Sequence, residues 1–351
     1  MKKCIRETKF VAYLLDPLLT GKIDPWSYLS GIDESCLVET LNRNKVVIEF
    51  ERKLEADDVL KERFFSAFPR LKAFYQGVNT KVEKDSFEFN RIKSKFSEDN
   101  VEFMLIKSDG SFPYESDNLD VLIKPKMLSQ VVKLLKKAGY VELAQVREPH
   151  KFLFRKMHAL DELPLHIHTR VEWEGTQFID SRDLWIRSEI SGGDDGFLVP
   201  SPEDCILITA AHLFFENHEI KLADLLKIDS RIRNYSIDWD YISDHAQRLQ
   251  WNDAFSLTML LLNLVHNDLF GRSMLQHRVL SKLEEVNNGY IGLFRKIMKP
   301  FSYGATPLNI PYTVAVLFFL RRVIFESSLS LAKRFKHVCW IASDVAKRKT
   351  L

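Results

Sequence analysis

Leu105-Ile106-Lys107-Ser108-Asp109-Gly110-Ser111-Phe112-Pro113-Tyr114-Glu115-Ser116-Asp117-Asn118-Leu119-Asp120-Val121-Leu122-Ile123 decides the reading of this chain. An apolar run ends at Lys107, a polar loop containing Gly110 and Pro113 follows, and a second apolar run starts at Leu119. That pattern reads as strand, loop, strand. Side chains alternate faces along a strand, so Asn118 and Asp120 share one face while Leu119 and Val121 point into the core. Oxygen donors presented in pairs suit a hard divalent cation. Further on, Leu163-Pro164-Leu165-His166-Ile167-His168-Thr169-Arg170-Val171-Glu172 alternates in the same way, with His166 and His168 on one face and Leu165, Ile167 and Val171 on the other. The two polar faces can meet across adjacent strands.

Working outward, the chain divides into three parts. Residues 1–98 carry apolar positions at helical spacing, among them Leu37, Leu41, Val47, Ile48, Leu54, Leu60, Phe64, Phe68 and Leu71, between many Lys, Arg and Glu. This reads as an amphipathic helical cover, with Asp33 or Ser35 capping one helix and Pro69 near the boundary of another. Residues 99–198 switch to a period of two. Strands are expected at about 101–107, 119–124, 140–147, 151–157 and 164–173, with a helix over 125–138 closed by Gly139. Met127, Val131, Leu134 and Leu135 form the inner face of that helix, and Lys126, Lys133, Lys136 and Lys137 its outer face. From residue 199 the pattern is helical to position 351. Ser201-Pro202-Glu203-Asp204 is a strong helix start: a capping serine, proline in the first turn, then acids at the positive end of the helix dipole.

Composition sets limits. The chain has 351 residues, 46% hydrophobic and 28% charged, enough for two or three units with a real core. A formal net charge of +2 is too balanced to point to nucleic acid. Cys4, Cys36, Cys205 and Cys339 are scattered without a CxxC spacing, which speaks against a zinc ribbon or a disulfide framework and for a reducing compartment. Met1-Lys2-Lys3 is basic, but the apolar stretch from Phe10 is interrupted by Asp16-Pro17, so no secretory signal is read. The apolar run 313–320 is too short to cross a bilayer. A cytoplasmic location is expected.

The region from about Asn100 to Asp268 resembles the uncharacterised nucleotidyltransferase-like proteins of the DNA polymerase β superfamily. There, a strand ending in Gly-Ser is followed by a spacer, and the next strand carries Asp-hydrophobic-Asp/Glu-hydrophobic. A later strand adds a third carboxylate. Here residues 109–117 supply the spacer between Ser108 and Asn118. Ala211-His212-Leu213, Leu222-Ala223-Asp224-Leu225 and Asp238-Trp239-Asp240 also resemble segments that follow the catalytic domain in that family. The resemblance implies an α+β fold: a minimal nucleotidyltransferase-type mixed sheet domain, flanked by amino-terminal helices and a carboxyl-terminal helical domain.

It also implies transfer of a nucleotidyl group from a nucleoside triphosphate (NTP) to an acceptor hydroxyl of unknown identity. Lys107 and Ser108 would bind the nucleotide, and Asp120, Asn118 and His166 would act in catalysis. Asp120, Asn118, His166 and His168 would hold Mg²⁺, Mn²⁺ or another divalent metal. Three positions depart from the family pattern: Lys107 stands for Gly, Asn118 for the first Asp and His166 for the third carboxylate. Imidazole suits Zn²⁺, Mn²⁺ or Fe²⁺ better than Mg²⁺, so the departures leave two readings: an active transferase, or a catalytically degenerate fold that binds a ligand or serves as a scaffold.

Each residue has a plainer role beside its functional one. Asp120 can cap a turn or pair with a lysine, Asn118 and Ser108 can bond a loop backbone, and His166 and His168 can be packing histidines. His212 reads as a packing residue between domains, Asp224 and Asp229 as caps or surface charges, and Asp109 and Asp117 as solvated loop acids. The segment 321–351 is basic and amphipathic. It reads either as a closing helix of the bundle or as a surface for an anionic membrane or a protein partner. Nucleic acid is not supported.

Overall fold

In a computed structural model, the structure describes residues 4–16, 18, 31–55, 58–107, 117–143, 150–156, 163–173, 176–191, 196–286 and 306–310, with single positions 314, 316, 318, 335 and 339. Ser108, Asp109, positions 144–147 and all but two residues of the segment 321–351 lie outside that set.

The amino-terminal part is helical: α1 Ile5–Leu15, α2 Glu34–Asn44, α3 Val47–Leu54, α4 Asp58–Ala67 and the long α5 Pro69–Glu98. Asp33 caps α2 by accepting from the Cys36 N–H at 2.8 Å, and Pro69 opens α5 at a position where no helical N–H is needed. Leu37, Leu41, Val47, Ile48, Leu54, Phe64, Phe68 and Leu71 are buried, as their spacing requires. Phe10, Phe50, Phe64 and Phe68 form one ring cluster, with centroids 4.9 to 6.4 Å apart. These rings are core rather than a binding platform.

A mixed seven-stranded sheet follows: β1 Phe103–Leu105, β2 Leu119–Ile123, β3 Tyr140–Leu143, β4 Lys151–Lys156, β5 Leu165–His168, β8 Glu189–Ser191 and β9 Phe197–Val199, in the order β3-β4-β5-β2-β1-β9-β8. The short β6 Glu172–Trp173 and β7 Thr176–Gln177 pair with each other. Helix α6 Leu128–Lys137 crosses between β2 and β3 after a 3₁₀ turn at Pro125–Met127. Gly139, at φ +90°, ends it in a left-handed conformation that glycine adopts without strain.

Every residue of β2 is buried, because both faces of the sheet are covered. Leu119, Val121 and Ile123 pack with α5 and α6 in one apolar cluster. Leu122 packs in a second cluster shared with the amino-terminal and carboxyl-terminal helices. Strand alternation puts Asp120 on the same side as Leu122, toward those helices.

The expected strand over 164–173 is broken, since β5 stops at His168 and the chain bends through Thr169 and the exposed Arg170 before β6. Two strands that sequence periodicity does not announce, β8 and β9, extend the sheet. Each is three residues long, too short for a period of two to register.

Helix α7 Ser181–Arg187 lies between β7 and β8, and the carboxyl-terminal part begins with α8 Pro202–Ala211, all ten residues of which are buried. A helix buried on every side takes the centre of its layer, with α9 Leu222–Asn234, α10 Trp239–Arg248, α11 Asn252–Phe270 and α12 His277–Val286 around it. The part is not helical throughout, as the sequence pattern implies. After α8 the turn widens into a π-helical segment, His212–Asn217, that His218 ends in a left-handed conformation. The chain then extends as β10 Glu219–Ile220, whose open backbone groups pair antiparallel with β11 Leu308–Asn309. Among the described residues, no helix is long and apolar enough to cross a membrane.

Candidate metal and nucleotide cleft

The site is assembled by strand register. In the parallel pair β2–β5, Asp120 stands opposite His166 and Leu122 opposite His168. The carboxylate and both imidazoles therefore lie on one face. Asp120 Oδ1 is 2.8 Å from His168 Nε2 and 3.3 Å from His166 Nδ1. His166 Nδ1 is itself buried and, among the described residues, makes no hydrogen bond of good geometry. These three donors lie within 4.8 Å of one another.

Lys107, two residues beyond β1, reaches into the same place. Its Nζ is 3.4 Å from Asp120 Oδ2 and 3.2 Å from Glu216 Oε2. Glu216, on the π-helical segment, also meets Lys151 Nζ at 3.3 Å and His212 Nε2 at 3.1 Å, and accepts from the Trp173 indole N–H. The wide turn is what brings His212 and Glu216 to the cleft side by side. Phe215 between them is held in the core by Phe178, stacked at 4.1 Å, and by Trp251. Such π segments recur at functional sites.

The electrostatics follow from this arrangement. Burial alone would raise the Asp120 pKa, but the Lys107 ammonium and the two imidazoles outweigh it and hold the carboxyl well below its usual range. Glu216 behaves alike: burial is outweighed by Lys107, His212 and Lys151. Lys107 is raised, since the attraction of Asp120 and Glu216 exceeds the desolvation that would lower it. Burial lowers His168, despite the pull of Asp120. A neutral His168 beside an ionised Asp120 is a competent ligand pair.

Asp120 and Lys107 border a cleft of about 420 Å³ between the sheet and the helices. Its walls also carry Lys45, Glu49, Asp117, Asn118, His212, Glu216, Lys221, Asp224 and Lys227. Lys45 pairs with the exposed Asp117 at 2.8 Å. Asp224 Oδ2 accepts from the Lys221 N–H at 3.4 Å, at the start of α9, and burial raises its pKa. Of the described lining residues, five are carboxylates and four are lysines, so the cleft does not draw a polyanion by net charge.

The sequence-derived candidates Asp120, His166, His168 and Lys107 thus come together, and Asn118 lies on the same wall. Ser108 falls outside the described residues. Glu216 and His212 were not among the candidates; the His212-x-x-x-Glu216 spacing on an otherwise apolar helical run is the signal that could have singled them out. Asp229 proves to be buried, paired with Arg233 at 2.9 Å and His266 at 3.4 Å, not a surface charge.

Whether this donor set fits the divalent metal of the resembled superfamily can be judged from its atoms. One carboxylate oxygen and two imidazole nitrogens are a poor set for Mg²⁺ and a good one for Mn²⁺, Zn²⁺ or Fe²⁺. Two donors bound side by side to one ion at about 2.1 Å stand about 3 Å apart, close to the 2.8 and 3.3 Å separations here.

The domain is a mixed sheet flanked by helices, with the strand pair that carries Asp120, His166 and His168 beside the cleft. In sequence, residues 115–267 match the family described as uncharacterised nucleotidyltransferase. The lincosamide antibiotic adenylyltransferase LnuA, solved with lincomycin bound, is similar over 41% of this chain and 94% of its own, at 17% identity and a TM-score of 0.31. No curated protein matches the sequence.

Proposed function

We propose that the cleft binds the phosphates of a nucleoside triphosphate and that the protein transfers the nucleotidyl group to an acceptor hydroxyl. The observation that carries this reading is the convergence of His166 and His168 on Asp120, which borders the cleft, within the segment that matches a nucleotidyltransferase family. Asp120, His166 and His168 would hold a divalent ion. When bound, it supplies positive charge against the triphosphate, which a lining of five carboxylates and four lysines does not provide. In the transfer, the acceptor oxygen bonds to the α-phosphorus, the bond to pyrophosphate breaks and the acceptor proton passes to solvent. Lys107, fixed between Asp120 and Glu216, holds its charge beside the phosphates, and Asn118 orients the nucleotide from the cleft wall. Positioning and charge neutralisation would be the chief contributions.

Titration calorimetry of the full chain with ATP tests this, first with Mn²⁺ and then with Mg²⁺. Binding is expected with Mn²⁺ and to be weaker with Mg²⁺, and Asp120→Asn is expected to abolish metal-dependent nucleotidyl transfer while the fold persists. No ATP binding with either metal would remove the proposal.

One observation favours a second reading, the degenerate binding module. Lys107 Nζ lies between Asp120 and Glu216, so an ammonium already supplies positive charge to the carboxylate that would hold a metal ion. On that reading ATP binds equally with and without metal and no transfer occurs. The calorimetry with and without Mn²⁺ separates the two.

A further inference from the structure

We propose that Cys4, Glu7 and Cys36 form a second metal site, for a borderline-soft divalent ion of the Zn²⁺ class, remote from the cleft. In sequence these cysteines carry no metal-binding spacing, yet the two thiols and the carboxylate come within 4.8 Å of one another. Cys4 is the capping residue of α1 and Glu7 lies in its first turn, so both project from the same end. Cys36 is in the first turn of α2. Two helix amino ends therefore face the cluster, and their partial positive charge favours thiolate anions there.

The carboxylate is the second indication. Glu7 is only 6% exposed and forms no ion pair among the described residues. Its Oε1 accepts from the Asp33 N–H at 3.1 Å, which fixes the group at the junction of the two helices. A buried carboxylate without a cation is costly, and a bound metal ion supplies the missing charge. Thiolate ligands select Zn²⁺ and its like over Mg²⁺ or Ca²⁺. Thiol ligands give up their protons when a metal ion binds. The consequence is a clasp between α1 and α2.

The test is anaerobic titration of the reduced full chain with Co²⁺. One equivalent should give a thiolate-to-cobalt charge-transfer band, release about two protons per ion and lose the band when Zn²⁺ is added. Sulfur-specific absorption separates this site from the cleft, which has no thiol ligand. Cys4→Ser and Cys36→Ser should lose the band. Cys205→Ser, which removes a buried thiol at the Pro200 carbonyl, should keep it. If the serine variants do not fold, the wild-type titration decides alone. The proposal is overturned if the reduced wild type gives no thiolate band, if the band survives in both serine variants, or if oxidation joins Cys4 to Cys36 while the reduced chain ignores Co²⁺.

Discussion

His245 illustrates how one residue carries a pH dependence for the whole fold. It is 2% exposed, and its Nε2 accepts from the Asp180 N–H at 3.3 Å. Its Nδ1 lies 3.3 Å from the Arg248 guanidinium and 3.5 Å from Asp183 Oδ2. Burial and the Arg248 guanidinium push its pKa down to about 4, below the ordinary value of about 6.5 for an unfolded histidine. The unfolded chain therefore takes up a proton between these values that the folded chain refuses. Stability due to this residue is complete above about pH 6.5 and falls by about 1.4 kcal/mol per unit as pH drops toward 4, for a total of about 3 kcal/mol. Below about 4 the slope vanishes. Denaturant unfolding of wild type and His245→Gln across pH 4 to 7 checks this, with the two curves converging at low pH. Parallel curves would assign the pH dependence elsewhere.

At the scale of elements, α8 organises the carboxyl-terminal layer, and its first turn is buried with its polar groups satisfied internally. Ser201 Oγ accepts from the Asp204 N–H at 3.2 Å and donates to Asp204 Oδ2 at 2.9 Å. Asp204 is fully buried, with Tyr241 Oη donating to its other oxygen at 2.8 Å. Ser201→Ala removes a cap and leaves a buried carboxylate oxygen short of a donor. A loss of about 2 kcal/mol is expected in urea unfolding at unchanged slope, with Ser201→Thr near wild type. A loss as large in Ser201→Thr would mean that packing, not the hydroxyl, is responsible.

This start was legible in the sequence because caps are local: Ser201-Pro202-Glu203-Asp204 contains its own explanation. So was the polar face of Asp120, from alternation alone, and with it the closeness of His166 and His168. The parallel register that sets Asp120 against His166 was not, since it depends on α6 crossing over the sheet. Nor was Glu216 in the cleft. A π turn differs from an α turn by one hydrogen-bond step, and the pattern His212-Leu213-Phe214-Phe215-Glu216 is compatible with either. The short β8, β9, β10 and β11 lie below the length at which periodicity speaks.

Across the whole molecule, Asn44 joins parts that are far apart in sequence. It is completely buried. Its Nδ2 donates to the carbonyls of Thr40 at 2.8 Å and Thr306 at 2.9 Å, and its Oδ1 accepts from the Leu222 N–H at 2.9 Å. One amide thus ends α2, satisfies the first N–H of α9 and holds the segment leading into β11. The residues just after it, Lys45 and Val46, line the cleft. The apolar cluster that contains Leu41 and Val46 also contains Met104, Leu122, Leu222 and Val314, so amino-terminal helices, sheet and carboxyl-terminal helices share one core. Asn44→Leu keeps the volume and strands two carbonyls and one N–H, each costing about 1 to 3 kcal/mol when buried without a partner. A loss of about 3 kcal/mol in one cooperative calorimetric transition is expected. Asn44→Asp should be no better, because a carboxylate would face two carbonyl oxygens, and in both variants ATP should bind more weakly as the Lys45 wall of the cleft shifts. Two resolved transitions, only one of them moved by Asn44→Leu, would show instead that the helical cover and the rest melt apart, and would confine Asn44 to a local role.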